Sequence, residues 1–193
     1  MNIAVFASGR GSNFAAIIRA VKSGKIKASL SLLVCDNPAA GAISKAKRSG
    51  IEVALVKRKD FANKADFEAK IISCLEAKKI ELIVLAGFMR ILSNEFVMRF
   101  KNKIINIHPA LLPAFKGAHA IKDAFEHGVK VTGVTVHFVD ELIDHGPIIL
   151  QQALRIEEAD TTESLEKKIH KIEHWLYPEA IRLYAEGKLK VSL

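Results

Sequence analysis

Residues 2–13 read NIAVFASGRGSN: an unbroken apolar run, two glycines flanking one arginine, then Ser-Asn at the head of an amphipathic stretch. A short apolar run closed by glycine is a buried strand, so residues 2–7 form one that ends at Ser8-Gly9. From about Ser12 the apolar residues Phe14, Ile17, Ile18 and Val21 share one helical face, and Gly24 stands just past the end of that helix. Strand, glycine loop and helix in that order place the backbone N–H groups of Ser8-Gly9-Arg10-Gly11-Ser12-Asn13 where they can hold an anion. A dinucleotide fingerprint needs a glycine at position 14, which is Phe14, and the GK[ST] of a P-loop is missing. The loop therefore suits one phosphate rather than a pyrophosphate; a tight turn that uses glycine for its backbone angles is the competing reading.

Outward from this segment the hydrophobic period keeps switching between two and 3.6 residues, as alternating strands and helices require. Strands are expected at 28–35, 51–56, 81–86 and 103–107, with helices at 39–48, 61–78 and about 93–100. ELIVLA at 81–86 is apolar throughout and so belongs near the centre of a parallel sheet. After Pro109 a helix at 118–127 precedes two long β-rich runs, 131–139 and 147–156, whose short connection predicts an antiparallel pair. A helix over about 161–185 opens on Asp160-Thr161-Thr162-Glu163, a capping cluster. The expected fold is a single α/β domain over 1–193, a Rossmann-like three-layer sandwich with a mostly parallel sheet and an antiparallel C-terminal pair. Residues 1–108 would form its phosphate-binding half and 109–193 its catalytic half.

Composition narrows the function classes. The 193 residues carry 29 Lys and Arg against 21 Asp and Glu, a formal charge of +8, and half are hydrophobic. The basic residues stand in short groups beside acids, with no stripe interleaved with aromatics, so nucleic acid is not an expected partner. No apolar run approaches the ~20 residues of a membrane span, and the N-terminus lacks the pattern of a signal peptide. Two cysteines without a CxxC spacing fit a reducing, cytoplasmic setting.

Three further segments carry chemistry. Asn106 and His108, two apart at a strand's carboxyl end, project to the same side, an amide donor beside an imidazole. The loop 140–146 offers Asp140, Glu141 and Asp144 to a neighbouring histidine, and a carboxylate there favours the imidazolium. Each segment has a bland alternative, a structural His-Pro turn and an acidic hairpin. His170-Lys171-Ile172-Glu173-His174 matches the HxxEH pattern of zinc peptidases, but a third ligand is wanting, so no metal is expected; histidines on a helix surface are the simpler reading.

Taken together, SGRGSN at 8–13, LAGFMRILS at 85–93, INIHPALLPAFKGAHA at 105–120, TGVTVHFVDELIDHGPIILQ at 132–151 and EHWLYP at 173–178 resemble the folate-dependent formyltransferases of purine biosynthesis. The resemblance spans nearly the whole chain in consistent order. It implies direct transfer of the formyl group of 10-formyltetrahydrofolate, a co-substrate, to the amine of glycinamide ribonucleotide. Asn106, His108 and Asp144 would be the catalytic trio. Gly11, Ser12 and Asn13 would hold the ribonucleotide phosphate, with His170 and Glu173 at its sugar and amino end. Met89, Arg90, Ile91 and Leu92, with Asp140, Glu141, Leu142, Ile143, Asp144 and Asn106, would line the pterin pocket, and Lys64 would sit by the folate tail, where the family often has arginine. Ala110 and residues 114–116 depart from the commoner HPSLLP block beside the trio. Small-molecule substrates, no nucleic acid, no membrane and a monomer or weak homodimer complete the expectation. Two siblings share Asn-x-His-Pro: the methionyl-tRNA formyltransferases, with an added RNA-binding domain, and the formyltetrahydrofolate hydrolases, with an N-terminal regulatory domain. The length of the chain disfavours both.

Overall fold

The computed structural model describes residues 1–189; residues 190–193, the end of the expected single domain, lie outside the described residues. The chain runs β1 (Asn2–Phe6), α1 (Ser12–Lys22), β2 (Ser29–Cys35), α2 (Gly41–Arg48), β3 (Glu52–Leu55), α3 (Lys64–Ala77), β4 (Leu82–Leu85), α4 (Asn94–Arg99), β5 (Ile104–His108), α5 (Ala120–His127), β6 (Val131–Phe138), β7 (Ile148–Arg155) and α6 (Thr162–Ala185). The expected boundaries shift where caps intervene. α3 starts at Lys64 rather than 61 because the Asn63 side chain accepts from the Asp66 N–H and fixes the first turn there. A 3-10 turn at Arg58–Asp60, which apolar periodicity does not signal, occupies the approach.

One seven-stranded sheet has the order β3-β2-β1-β4-β5-β6-β7. The first five strands pair in parallel, and β6 is antiparallel to both β5 and β7. Strand alternation sorts the core into two layers. Ile3 and Val5 face Phe14, Ile17, Leu165 and Ile169 of α1 and α6, whereas Ala4 and Phe6 face Phe67, Ile71 and Phe96 of α3 and α4. β4 lies between β1 and β5 with Leu82, Ile83 and Val84 fully buried, as its unbroken apolar run requires. No helix among the described residues is long and apolar enough to cross a membrane.

α6 is joined to the sheet through Tyr177, whose side chain is fully buried. Its hydroxyl stands 2.9 Å from the Leu85 carbonyl, at the carboxyl end of β4, and 3.0 Å from the Ile105 carbonyl, in the first half of β5. Burial pushes this phenol well above its ordinary pKa. Tyr177→Phe keeps the ring and leaves both carbonyls without that donor. The expected loss is about 1–3 kcal/mol, read as a Tm drop of roughly 2–4 °C per kcal/mol. An unchanged Tm would show that the bond contributes nothing.

Candidate active site

α1 opens without a side-chain cap. Its N-cap is Gly11, in the left-handed region at φ 71°, and no acid occupies its first turn. The first-turn N–H groups and the positive end of the helix dipole are thus left to an outside acceptor. A Cβ at Gly11 would lie 2.9 Å from the Ala42 Cβ, so both the backbone angle and the close approach of α2 require glycine.

The same turn meets α6, 160 residues away in sequence: Asn13 Nδ2 donates to Glu173 Oε2 at 3.0 Å. Glu173 is buried and also accepts from His170 Nδ1 at 2.9 Å, while His170 Nε2 faces Glu166 Oε1 at 3.2 Å and Arg10 pairs with that oxygen at 3.4 Å. With a carboxylate at each ring nitrogen, the bond to Glu173 outweighs burial and holds the His170 pKa above 6.5. The stabilisation from that raised pKa is complete below 6.5 and is lost as pH rises through the folded value. The Asn13 Oδ1 atom is buried with no partner among the described residues.

The β5–β6 register sets Asn106 opposite His137 and His108 opposite Thr135, so these four side chains share one face. His108 is 3% exposed; its Nε2 faces the Phe115 carbonyl at 2.8 Å and its Nδ1 faces Asp144 Oδ2 at 3.3 Å. A carbonyl and a carboxylate can only accept, so the doubly protonated ring satisfies both. His137 Nδ1 donates to the Phe138 carbonyl at 2.7 Å, and its Nε2 stands between Asn106 Nδ2 at 3.3 Å and Asp144 Oδ1 at 3.7 Å. The Asn106 amide carries two N–H protons, so at least one of them has no partner among the described residues.

Asp144 sits in the left-handed region at φ 48° and reaches between the two histidines. The Gly117 N–H donates to its Oδ2 at 2.8 Å, and His137 Nε2 lies 3.7 Å from its Oδ1. Burial works to raise its pKa, but the attraction of His137, the Gly117 bond and the charge of His108 outweigh it and hold the carboxyl below 3.8. The loop that carries it is braced by Asp140, which accepts from the Leu142 N–H at 3.1 Å and pairs with His145 at 2.7 Å.

Beside this cluster a cleft of about 150 Å³ opens between two walls. Arg90, Ile91 and Leu92 supply one wall and residues 139–144 the other, with Asn106 and His137 at the floor. Exposed Ile91, Leu142 and Ile143 leave an apolar rim. Met89 does not line the cleft: its side chain is 74% exposed, and only its backbone N–H is held, by Ser8. Lys64 does not line it either. It starts α3 and lies 3.9 Å from Glu68, whose carboxylate accepts from the Ser93 N–H beyond Leu92. A larger groove of about 610 Å³, by Val21, Lys22, Lys27 and Leu30, lies at the amino ends of the strands and contains none of these groups.

The sequence reading missed His137, which no motif marks and which only the strand register sets against Asn106. It also missed the Phe115 carbonyl and the Gly117 N–H that orient the trio, as backbone groups carry no sequence signature. The HxxEH spacing does not assemble a zinc site. The rings of His170 and His174 lie parallel, 9° apart in plane with centroids 6.3 Å apart, and both His170 nitrogens face carboxylates. Among the described residues no group of three or more His, Cys, Asp or Glu is placed to hold a metal ion.

Comparison with known proteins covers the whole of this geometry. Residues 1–181 match the formyl transferase family. A phosphoribosylglycinamide formyltransferase of Bacillus subtilis is 50% identical over 179 residues, 93% of this chain and 92% of its own length. The trifunctional purine biosynthetic protein adenosine-3 of Homo sapiens is 40% identical over 190 residues, which span 98% of this chain and 19% of that protein. The crystal structure of glycinamide ribonucleotide transformylase 1 from Symbiobacterium toebii superposes with a TM-score of 0.97 at 41% identity, covering 100% of this chain and 91% of that one. A match that takes in the glycine loop before α1, the strand pair with its acidic loop and most of α6 embraces each part of the candidate site, and the chain belongs to the formyl transferase family.

Proposed function

We propose that this chain is a phosphoribosylglycinamide formyltransferase, passing the formyl group of 10-formyltetrahydrofolate to the amine of glycinamide ribonucleotide. The observation that carries the reading is the convergence of Asn106 and Asp144, which line the cleft, with His108 buried behind them, its ring 3.3 Å from Asp144 Oδ2. Gly11, Ser12 and Asn13 take the phosphate at the uncapped start of α1. Glu173 takes the sugar hydroxyls, with His170 beside it, and the orphaned Asn13 Oδ1 is a ready acceptor for a ligand donor. The pterin enters between residues 89–92 and 140–144, where its ring meets apolar walls and its polar edge meets backbone groups. Lys64 serves the acidic tail from outside the cleft.

In the chemical step the uncharged amine bonds to the formyl carbon, and the carbonyl electron pair moves onto oxygen. The free proton of the Asn106 amide and the charged His108 ring stabilise that oxyanion. The carbon–N10 bond then breaks as the oxygen pair returns, and the proton lost by the amine passes to N10. Asp144 keeps His108 charged and positions the water that relays this proton. Asn106 Nδ2 is positioned by His137 Nε2, 3.3 Å away. Neither a metal nor a covalent enzyme intermediate is needed in this balance. On the same reading the enzyme works in the cytoplasm as a monomer or weak homodimer, with Cys35 and Cys74 as free thiols.

The test is an absorbance assay for deformylated folate released from 10-formyltetrahydrofolate, with and without glycinamide ribonucleotide. Release that requires the ribonucleotide is the expected result. Release without it would make the chain a hydrolase, and no release from intact substrates would end the reading.

A further inference from the structure

The carboxyl ends of β2, β1 and β4 are laced together by one residue, Ser8. Ser8, 8% exposed at the end of β1, uses three polar groups, each toward a different segment. Its N–H donates to the Gly87 carbonyl at 3.0 Å, its Oγ accepts from the Met89 N–H at 3.0 Å, and its carbonyl accepts from Asn37 Nδ2 at 3.0 Å. Ser8 is contiguous with the phosphate loop 9–11, while Gly87 and Met89 begin the segment that walls the folate cleft. A second strand of the same seam runs beside it: Arg90 Nε donates to Asp36 Oδ2 at 2.7 Å, and the Asp36 side chain is only 6% exposed. Asp36 Oδ1 is buried without a partner among the described residues, so the position of Arg90 is what compensates this buried carboxylate.

Loops 9–11 and 87–92 are short irregular segments, and neither is ordered by a helix or strand of its own. The Ser8 bonds join them, so a ligand that fixes the position of one bears on the position of the other, and the second ligand then meets a segment already set for it. We propose that Ser8, assisted by Asp36, is a positioning residue that couples the two half-sites, so that glycinamide ribonucleotide on the phosphate loop tightens folate binding and the reverse. This rests on the functional reading above and extends it to binding order: a synergistic ternary complex rather than two independent sites. The coupling is reciprocal, because each ligand changes the other's affinity by the same factor.

The experiment measures the Kd of tetrahydrofolate by calorimetry with and without saturating glycinamide ribonucleotide, a pair that cannot react because no formyl group is present. For the wild-type chain the ribonucleotide should tighten tetrahydrofolate by about fivefold or more. In Ser8→Ala, which removes only the acceptor of the Met89 N–H, that ratio should collapse toward one. A purely structural loss would weaken each ligand alike in the presence and absence of the other and leave the ratio as it was. Wild-type coupling retained by a folded Ser8→Ala protein overturns the proposal, as does a wild-type ratio of one. Should Ser8→Ala fail to fold, Asp36→Asn decides by the same measurement: a reduced ratio supports the coupling and an unchanged one overturns it. If the wild-type chain binds neither ligand, the functional reading fails and the coupling with it, a result distinct from two ligands that bind independently.

Discussion

Asp144→Asn should lower kcat by ~10²–10⁴ while the KM values for both substrates stay close to wild type. The asparagine is isosteric, so its Oδ1 can still take the Gly117 N–H that Asp144 accepts at 2.8 Å. It cannot supply the negative charge that faces His108 Nδ1 at 3.3 Å and His137 Nε2 at 3.7 Å. The His108 ring then loses its carboxylate partner, and the site loses both the positive charge set near the oxyanion and the carboxylate that orients the relaying water. Steady-state kinetics at several pH values is the check, and wild-type turnover would remove Asp144 from the mechanism. The substitution also reaches stability. A carboxyl held below 3.8 contributes stabilisation that is present above pH 3.8 and is lost as pH falls through its lower folded value. The variant should lack that part of the acid transition.

Gly11→Ala should raise the KM for glycinamide ribonucleotide about tenfold or more, with a much smaller change in kcat. The position needs φ 71°, which costs a residue with a Cβ roughly 1–2 kcal/mol, close to a factor of ten in binding. The added methyl would lie 2.9 Å from the Ala42 Cβ and 3.0 Å from its Cα, so α2 must retreat or the loop must turn its N–H groups away from the phosphate. Gly9→Ala is the matched control, since its Cβ would meet nothing within 4 Å. A Gly11→Ala protein that melts like the control and keeps the wild-type KM would place the phosphate elsewhere.

The parts of the site that were legible beforehand share one property: they are contiguous in the chain. The glycine loop after β1, the Asn106-Ile107-His108 spacing and the acidic loop 140–146 each announce themselves within a few residues, because helix starts, strand ends and turns have local chemical signatures. The direction of a side chain is less legible: Lys64 is drawn to Glu68, and the Met89 side chain points into solvent from a backbone held by Ser8. A position beside a binding segment says nothing about which way the side chain turns.

By itself the sequence determined the alternation of strands and helices, the central place of β4, the antiparallel pair at the end and the residue types available for chemistry. All of these follow from periodicity and from short-range capping and turn preferences, which act over a few residues. Only the tertiary structure decided which of those residues meet. The β5–β6 register put His137 opposite Asn106, a left-handed backbone at Asp144 turned its carboxylate between two histidines, and the packing of α6 brought Glu173 to Asn13 across 160 residues. Such contacts are set by how a whole hydrophobic core closes, and no local pattern encodes that closure.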